Sequence, residues 1–239
     1  MDVDFLGKTF VQLLGGVPLL LQLAAFSIAA GAVLAVVLAL MRLSGNAALD
    51  AIARSYVFVF RGTPLLVQIF LIYYGLGQFP EIRQSVLWPF LRQPYWCALL
   101  ALTLNTAAYS SEIIRSGILS VPFGQIEAAR ACGMSRALVF RRIIVPQGLR
   151  VALPAYGNEI ILVIKSSSLA STITLLDITG VARTLVAHTY APYEVFLVAG
   201  ALYLLLVLAT TRLLALAERW LRTDAAAAPT PKPLAEPIG

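Results

Sequence analysis

The chain has 239 residues, of which 59% are hydrophobic and only 13% charged, whereas soluble domains carry about 25% charged residues. A soluble fold is excluded, and an all-α protein of the bilayer is indicated. The formal charge of +6 does not point to nucleic acid, because no long basic stripe with interleaved aromatics accompanies it; membrane proteins gather Lys and Arg on their cytoplasmic side for topological reasons alone.

The start, "MDVDFLGKTF", is acidic where a signal peptide would be basic, so no cleavable leader is expected. Five stretches then reach or approach the roughly 20 apolar residues that a membrane-crossing helix needs. They are Val17–Met41, Leu65–Phe79 extended backwards through Tyr56, Trp96–Leu119, Val151–Leu175 and Tyr193–Ala217. Lipid offers backbone amides no partner, so each is read as a helix in spite of its β-branched residues. Arg42, Arg54, Arg115, Arg130, Arg136, Arg141, Arg142, Arg150, Arg219 and Arg222 fall on one side of the spans, against Lys8, Arg83, Arg92 and Arg183 on the other. That bias predicts five transmembrane helices with the N-terminus periplasmic and the C-terminus cytoplasmic. The membrane domain is expected to occupy residues 1–222. Residues 223–239, rich in Ala and Pro, are expected to form a disordered cytoplasmic tail. Trp88, Trp96 and Trp220 sit near span ends, as interfacial anchors do.

In the second span, Pro64 removes an amide donor and frees the carbonyl of Phe60, and Gly62 loosens the same turn. A broken or kinked helix is predicted at Gly62-Thr63-Pro64. Arg61 is read as near the inner end, snorkelling to the interface. In the third span Asn105, Tyr109, Glu112 and Ser116 recur at helical spacing and make one polar stripe. In the fourth, Asn158 and Glu159 fall at about the depth of Asn105, near mid-bilayer at about 1.5 Å per residue. Polar groups at one level on two helices suggest a shared chamber, and equally interhelical hydrogen bonding. Glu159 either pairs with Lys165 or an arginine, or attracts a cationic cargo. Ser166–Ser168 offer hydroxyls or a second local loosening, a candidate gate. His188 lies in an outer loop and receives no role. Cys97 and Cys132 are not expected to pair, and no Cys/His spacing resembles a metal site.

Between the third and fourth spans the chain becomes polar and rich in helix formers, "GQIEAARACGMS" at Gly124–Ser135. A short helix at the membrane's inner face is predicted; composition alone leaves two readings, small residues that fit a groove on another protein or a solvated connector that touches nothing. Gly133 either ends that helix or admits a close backbone, and Pro146 breaks the following run, Arg136 to Val145. An autonomous carrier or channel, the alternative function, has no use for such a helix. The P-loop pattern is not met either: "GKT" at Gly7–Thr9 lacks the glycine five positions earlier, where Asp2 stands.

Glu127-Ala128-Ala129, three residues, Gly133, nine residues, then Ile143-Ile144-Val145-Pro146 resembles the EAA loop of ATP-binding cassette (ABC) importer permeases, E-A-A-x3-G-x9-I-x-L-P. Only Val145, in place of leucine, departs from it. Arg61–Phe70, Leu100–Ile118, Ala152–Thr172 and Leu175–Ala182 resemble the polar amino-acid branch of that family, most closely the M-type membrane subunit of histidine/lysine-arginine-ornithine and octopine/nopaline importers. The resemblance implies a type I importer transmembrane domain and a Q-type permease sibling in a pseudo-symmetric heterodimer. It also implies two ATPase subunits that hold ATP and Mg, a periplasmic substrate-binding protein, and a multi-pass place for this chain in the bacterial inner membrane. It makes Gly124, Glu127, Ala128, Ala129, Gly133, Met134 and Ser135 the coupling helix to the ATPase. Thr63, Gln68, Asn105, Tyr109, Glu112, Tyr156, Asn158, Glu159, Ser167 and Ser168 are the candidate substrate pathway, for histidine, arginine, lysine, ornithine or an opine.

Overall fold

The computed structural model describes residues 3–221, with side chains described up to Arg219. The predicted tail at 223–239 and the side chain of Trp220 lie outside the described residues. Helices account for all regular structure among the described residues. Helix α1 (Val3–Leu14) turns at Gly15-Gly16 into α2 (Val17–Leu43). Glycine is required at 16 because a Cβ there would lie 2.5 Å from the backbone of Asp177 and Ile178. At a rise of about 1.5 Å per residue α1 is too short to cross a bilayer core of about 30 Å, which is why a search for long apolar runs passes over it.

Helix α3 (Ala47–Gly62) begins at Asn46, whose side chain caps the amides of Ala48 (2.9 Å) and Leu49 (3.4 Å). It breaks as predicted, and the chain resumes as α4 (Leu65–Phe70), running on through Gln78 at 103° to α3. Two short turns, α5 (Pro80–Arg83) and α6 (Trp88–Leu91), lead to α7 (Pro94–Leu119). Next come α8 (Phe123–Ala131) and α9 (Arg136–Val139), the latter leading into α10 (Val145–Ser166). Pro146 does not break this run, contrary to expectation. A single wide turn, Phe140–Ile144, in which the Val145 amide bonds the Phe140 carbonyl, makes room for the proline ring, so the helix continues from Arg136 to Ile173. Its last residues, Ser167–Ile173, wind more tightly as a 3-10 helix, so the serine run changes the helix by tightening it and not by the expected loosening. His188 is in helix α11 (Ile178–Thr189) rather than a loop, and α12 (Pro192–Leu221) closes the described chain.

Among the described residues, three helices are long and apolar enough to cross a membrane: Val3–Leu43 taken across its turn, Pro94–Leu119 and Pro192–Arg219. The total reaches five if each bent pair, Ala47–Gly62 with Leu65–Gln78 and Arg136–Ile173 with Ile178–Thr189, forms one span. Helices α2 and α7 pack through small residues of α7, Ala98 and Ala101 in one cluster with Leu23 and Ala107 in another with Leu38, all buried. A Cβ on Gly31 would collide with Thr106 Cγ2. The end of α7 meets the start of α10 in the same manner, since a Cβ on Gly117 would stand 2.5 Å from the Gly148 carbonyl oxygen. Close backbone approach through small residues is the usual means of joining helices where lipid supplies no hydrophobic drive. The opposite face of α2 leaves Phe26, Val33, Val37 and Leu40 exposed, as suits contact with lipid.

Candidate functional site: a polar path and an exposed helix

The break between α3 and α4 is a hydrogen-bonded construction. Pro64 cannot donate to the carbonyl of Phe60, and that carbonyl instead accepts from Gln68 Nε2 (2.9 Å) and Asn105 Nδ2 (3.2 Å). Gln68 Nε2 also reaches Thr63 Oγ1 (2.8 Å) and Thr63 O (3.1 Å), while Asn105 Nδ2 donates to Gln68 Oε1 (3.1 Å). Thr63 Oγ1 donates in turn to the Val59 carbonyl at 2.8 Å. Two side-chain amides thus replace the backbone bonds that the proline removes, and they tie the break to α7.

Beside this break opens a cavity of about 520 Å³ whose polar lining is Arg61, Thr63, Asn105, Thr106, Tyr109, Glu159 and Ser166. Glu159 is 7% exposed, and its Oε1 accepts from Thr106 Oγ1 at 2.9 Å. Among the described residues it has no Lys or Arg at ion-pair distance, so the expected pairing with Lys165 or an arginine does not form as a contact; Arg61, on the same cavity, acts on it from farther off. A second cavity, of about 460 Å³, continues along α7 past Tyr109 and is lined by Arg61, Glu112, Ser116, Gly117 and Ala155, among others. The stripe Asn105, Tyr109, Glu112 and Ser116 therefore follows the two cavities in order. Arg61, expected at the interface, instead faces both cavities, its guanidinium 5.0 Å from the centroid of the Tyr109 ring.

Glu112 lies on the path but is already engaged. Its Oε1 accepts from Arg42 Nη1 (2.5 Å) and its Oε2 from Arg115 Nη2 (3.0 Å). Arg42 Nε also reaches Asp50 (3.0 Å), which pairs further with Arg54. This cluster joins α2, α3 and α7.

Several predicted path residues stand apart from the cavities. Asn158 is exposed and Tyr156 half-buried, and neither lines either cavity. One residue is about 100° of helix, so the turn that carries Glu159 into the larger cavity carries Asn158 away from it. Asn158 and Asn105 therefore do not share a chamber within this chain. Ser167 is buried and donates to the Ile164 carbonyl (2.8 Å), and Ser168 donates to that of Lys165 (2.7 Å). The serine that lines the cavity is Ser166. Glu159, Leu162, Val163 and Ser166 all line it, at the i, i+3, i+4, i+7 spacing of one helix face. That spacing, applied from Glu159, picks out Ser166 and rejects Ser167 and Ser168. Thr106, next to Asn105, belongs to the site by the same test from Leu102.

Helix α8 is the second feature. Gly124, Glu127, Ala128 and Ala131 repeat the same spacing and are all exposed, whereas Ala129 on the opposite side is buried. Glu127 has no ion-pair partner among the described residues. Gly133, at φ +79°, ends the helix. Its amide donates to the Arg130 carbonyl (2.9 Å) and that of Met134 to the Ala129 carbonyl (3.1 Å), the paired bonds of a Schellman cap. A Cβ at Gly133 would meet nothing within 4 Å, so of the two readings of this glycine the helix-ending one holds within this chain. Ser135 then caps the next helix through the Leu138 amide (3.3 Å), and Gln147 Nε2 ties α10 to α8 at Gln125 Oε1 (2.7 Å). Met134 is half-buried and Ser135 exposed. The result is a short rod with one bare face of small residues, fixed at both ends.

Residues 4–223 match the family described as "Binding-protein-dependent transport system inner membrane component". The chain is 64% identical over 217 residues to the octopine transport system permease protein OccM of Rhizobium meliloti, covering 91% of this chain and 89% of that one. It is 43% identical over 209 residues to the histidine/lysine/arginine/ornithine transport system permease protein HisM of Escherichia coli K12, covering 87% and 88%. Among solved structures, an amino acid ABC transporter crystallised with histidines superposes with TM-score 0.83 at 36% identity, over 92% of this chain and 99% of the other.

Proposed function

We propose, from the fact that this chain belongs to the binding-protein-dependent transport system inner membrane components, that its two cavities are the route of a cationic or polar amino acid and that α8 is the handle by which an ATPase works them. The chain is a permease subunit of an ABC importer for amino acids or opines. In this reading it crosses the bacterial inner membrane five times, each bent pair forming one span, with α8 in the cytoplasm. It pairs with a Q-type sibling permease, receives cargo from a periplasmic binding protein, and relies on two separate subunits for ATP and Mg chemistry.

One observation carries the substrate class: the buried carboxylate of Glu159 on the wall of the larger cavity, hydrogen-bonded to Thr106 and in contact with no cation, Arg61 acting on it only from across the cavity. A charged carboxylate at mid-membrane depth costs about 2.5–3.5 kcal/mol on insertion scales. A side chain ending in ammonium or guanidinium, arriving as cargo, offsets that penalty at contact distance, which Arg61 across the cavity does only in part. The same carboxylate leaves an anionic cargo unfavoured at this wall.

Along α8, the bare face Gly124, Glu127, Ala128 and Ala131 lets a partner's groove close on the backbone, and Glu127 supplies one unpaired charge to fix register. Gly133, Met134 and Ser135 hold the end of that helix. Force applied there reaches α7 and α10 directly, through Val121 on one side and Gln125–Gln147 on the other.

The test is purification of the intact complex through a tag on this chain, with subunits and bound ligand identified by mass spectrometry and uptake measured in vesicles. The expected result is a second permease, a paired ATPase, a cationic amino acid and ATP-dependent uptake. Uptake that proceeds without ATP would overturn the assignment of α8.

A further inference from the structure

The two cavities meet at a single pair of side chains. Arg61 and Tyr109 are the residues lining both, with Asn105, Thr106 and Glu159 on one side and Glu112 and Ser116 on the other. We propose that the Arg61–Tyr109 stack is a gate between two compartments of the path, opened when the carboxylate of the cargo draws Arg61 off the ring. The inference rests on the reading of the cavities as an amino-acid route.

Three observations support it. Arg61 has no carboxylate at ion-pair distance among the described residues; Glu159 attracts it only from across the cavity that both line, and the contact its guanidinium makes is with the ring face, 5.0 Å from the centroid. That is a real but weak attachment. Arg42, by contrast, is bound to two carboxylates at once and is not free to move. The nearest competitor on the path, Glu112, is occupied by Arg42 and Arg115, so it does not capture Arg61 and leave the gate open. Finally, Arg61 stands in the last turn of α3, next to the break. The helix ends one residue later, at Gly62, and a Cβ on that glycine would meet nothing within 4 Å. Re-aiming Arg61 therefore breaks no helix.

The chemistry gives the gate a key. A carboxylate accepts two parallel hydrogen bonds from guanidinium, a stronger and more directional contact than the face of a phenol ring. An amino acid in the larger cavity presents both ends: its cation suits Glu159 and its carboxylate suits Arg61. When the carboxylate takes the guanidinium, the Tyr109 ring loses its cover and the second compartment is joined to the first. Without cargo the stack re-forms.

The test uses the full complex reconstituted in liposomes, with the exposed Cys132 changed to Ser and Ser166→Cys placed in the larger cavity as reporter. An anionic, membrane-impermeant thiol reagent is added on the side that bears α8. Losing the positive charge of Arg61 would by itself slow such a reagent, so acceleration reads opening. Arg61→Ala and Tyr109→Ala are each expected to raise the labelling rate by about tenfold or more, and Tyr109→Phe, which keeps the ring face, to leave it within about twofold. Saturating arginine should accelerate labelling in the Arg61 protein and not in Arg61→Ala. Should Arg61→Ala fail to assemble, Arg61→Gln and Tyr109→Ala decide the matter. Equal labelling with and without the stack, or Tyr109→Phe as fast as Tyr109→Ala, overturns the gate. Labelling needs no transport, so it separates failure of the gate from failure of the importer reading, which would show instead as absent amino-acid uptake.

Discussion

Asn105 of α7 donates from Nδ2 to the main-chain carbonyl of Phe60 at 3.2 Å, across the break in the second membrane element. Gln68 Nε2 reaches the same carbonyl at 2.9 Å and also binds Thr63, so the two amides are not equivalent. Removing Asn105 leaves the carbonyl with one donor, whereas removing Gln68 strips the break of its internal bonds. Asn105→Leu removes two bonds between helices, to the Phe60 carbonyl and to Gln68 Oε1, and is expected to cost about 1.2 kcal/mol at an average of about 0.6 each. Gln68→Leu should cost about 1–3 kcal/mol, because Thr63 and Phe60 are left short of donors. Thermal unfolding of the purified complex measures both. A larger loss in Asn105→Leu than in Gln68→Leu would contradict the ranking.

Gly133 supplies the second prediction. At φ +79° with open space around it, it is needed for its backbone and not for room within this chain. Asn adopts this conformation readily, while an ordinary side chain pays about 1–2 kcal/mol and a β-branched one the most. Gly133→Asn should therefore keep ATPase co-purification within about twofold, and Gly133→Val should lose it. If Gly133→Asn fails as badly as Gly133→Val, a partner packs on this glycine and the backbone argument is insufficient.

How much of this was legible in the sequence depends on what each signal measures. Pro64 announced the break and even the freed Phe60 carbonyl, because a proline's missing donor is a local fact. Glu127 and Gly133 announced α8 and its end for the same reason. Pro146 misled, since whether a proline breaks a helix depends on whether the preceding turn can widen, as Phe140–Ile144 does. Asn158 misled because depth was counted along the helix and its rotation was not. Arg61 was assigned to the interface by its position in the chain, yet its surroundings are set by Tyr109, 48 residues later by the numbering. Helix α1 escaped because a search for long apolar runs is blind to a short helix that packs beside longer ones.

Glu159→Gln is the third prediction. The amide oxygen still accepts from Thr106, so the hydrogen bond at 2.9 Å survives while the charge disappears. Stability should be unchanged or slightly raised, since a buried charge with no contact ion pair, attracted by Arg61 only across the cavity, is lost. Uptake of arginine and lysine in the reconstituted complex should fall about tenfold or more, the equivalent of roughly 1.4 kcal/mol of lost attraction. Uptake of a neutral amino acid, where measurable, should not fall. Equal uptake of arginine by both proteins would return Glu159 to a purely structural role.

The Arg42 cluster gives an asymmetric prediction. Arg42 is 14% exposed and bridges Glu112 at 2.5 Å and Asp50 at 3.0 Å. Each carboxylate has a second arginine, Arg115 for Glu112 and Arg54 for Asp50. Taking Arg42 away therefore orphans neither acid, and Arg42→Met, which keeps the length of the stem, should cost only about 1 kcal/mol. Taking both acids away leaves a largely buried guanidinium with no counter-charge, so Glu112→Ala with Asp50→Ala should cost about 3 kcal/mol or more. The comparison is made on thermal or chemical unfolding of the assembled complex, at low and high salt. The partly buried Arg42–Glu112 bond should resist screening, and the exposed Arg54 should not. If Arg42→Met proves the more damaging change, the second arginines do not support their acids, and Arg42 alone holds α2, α3 and α7 together.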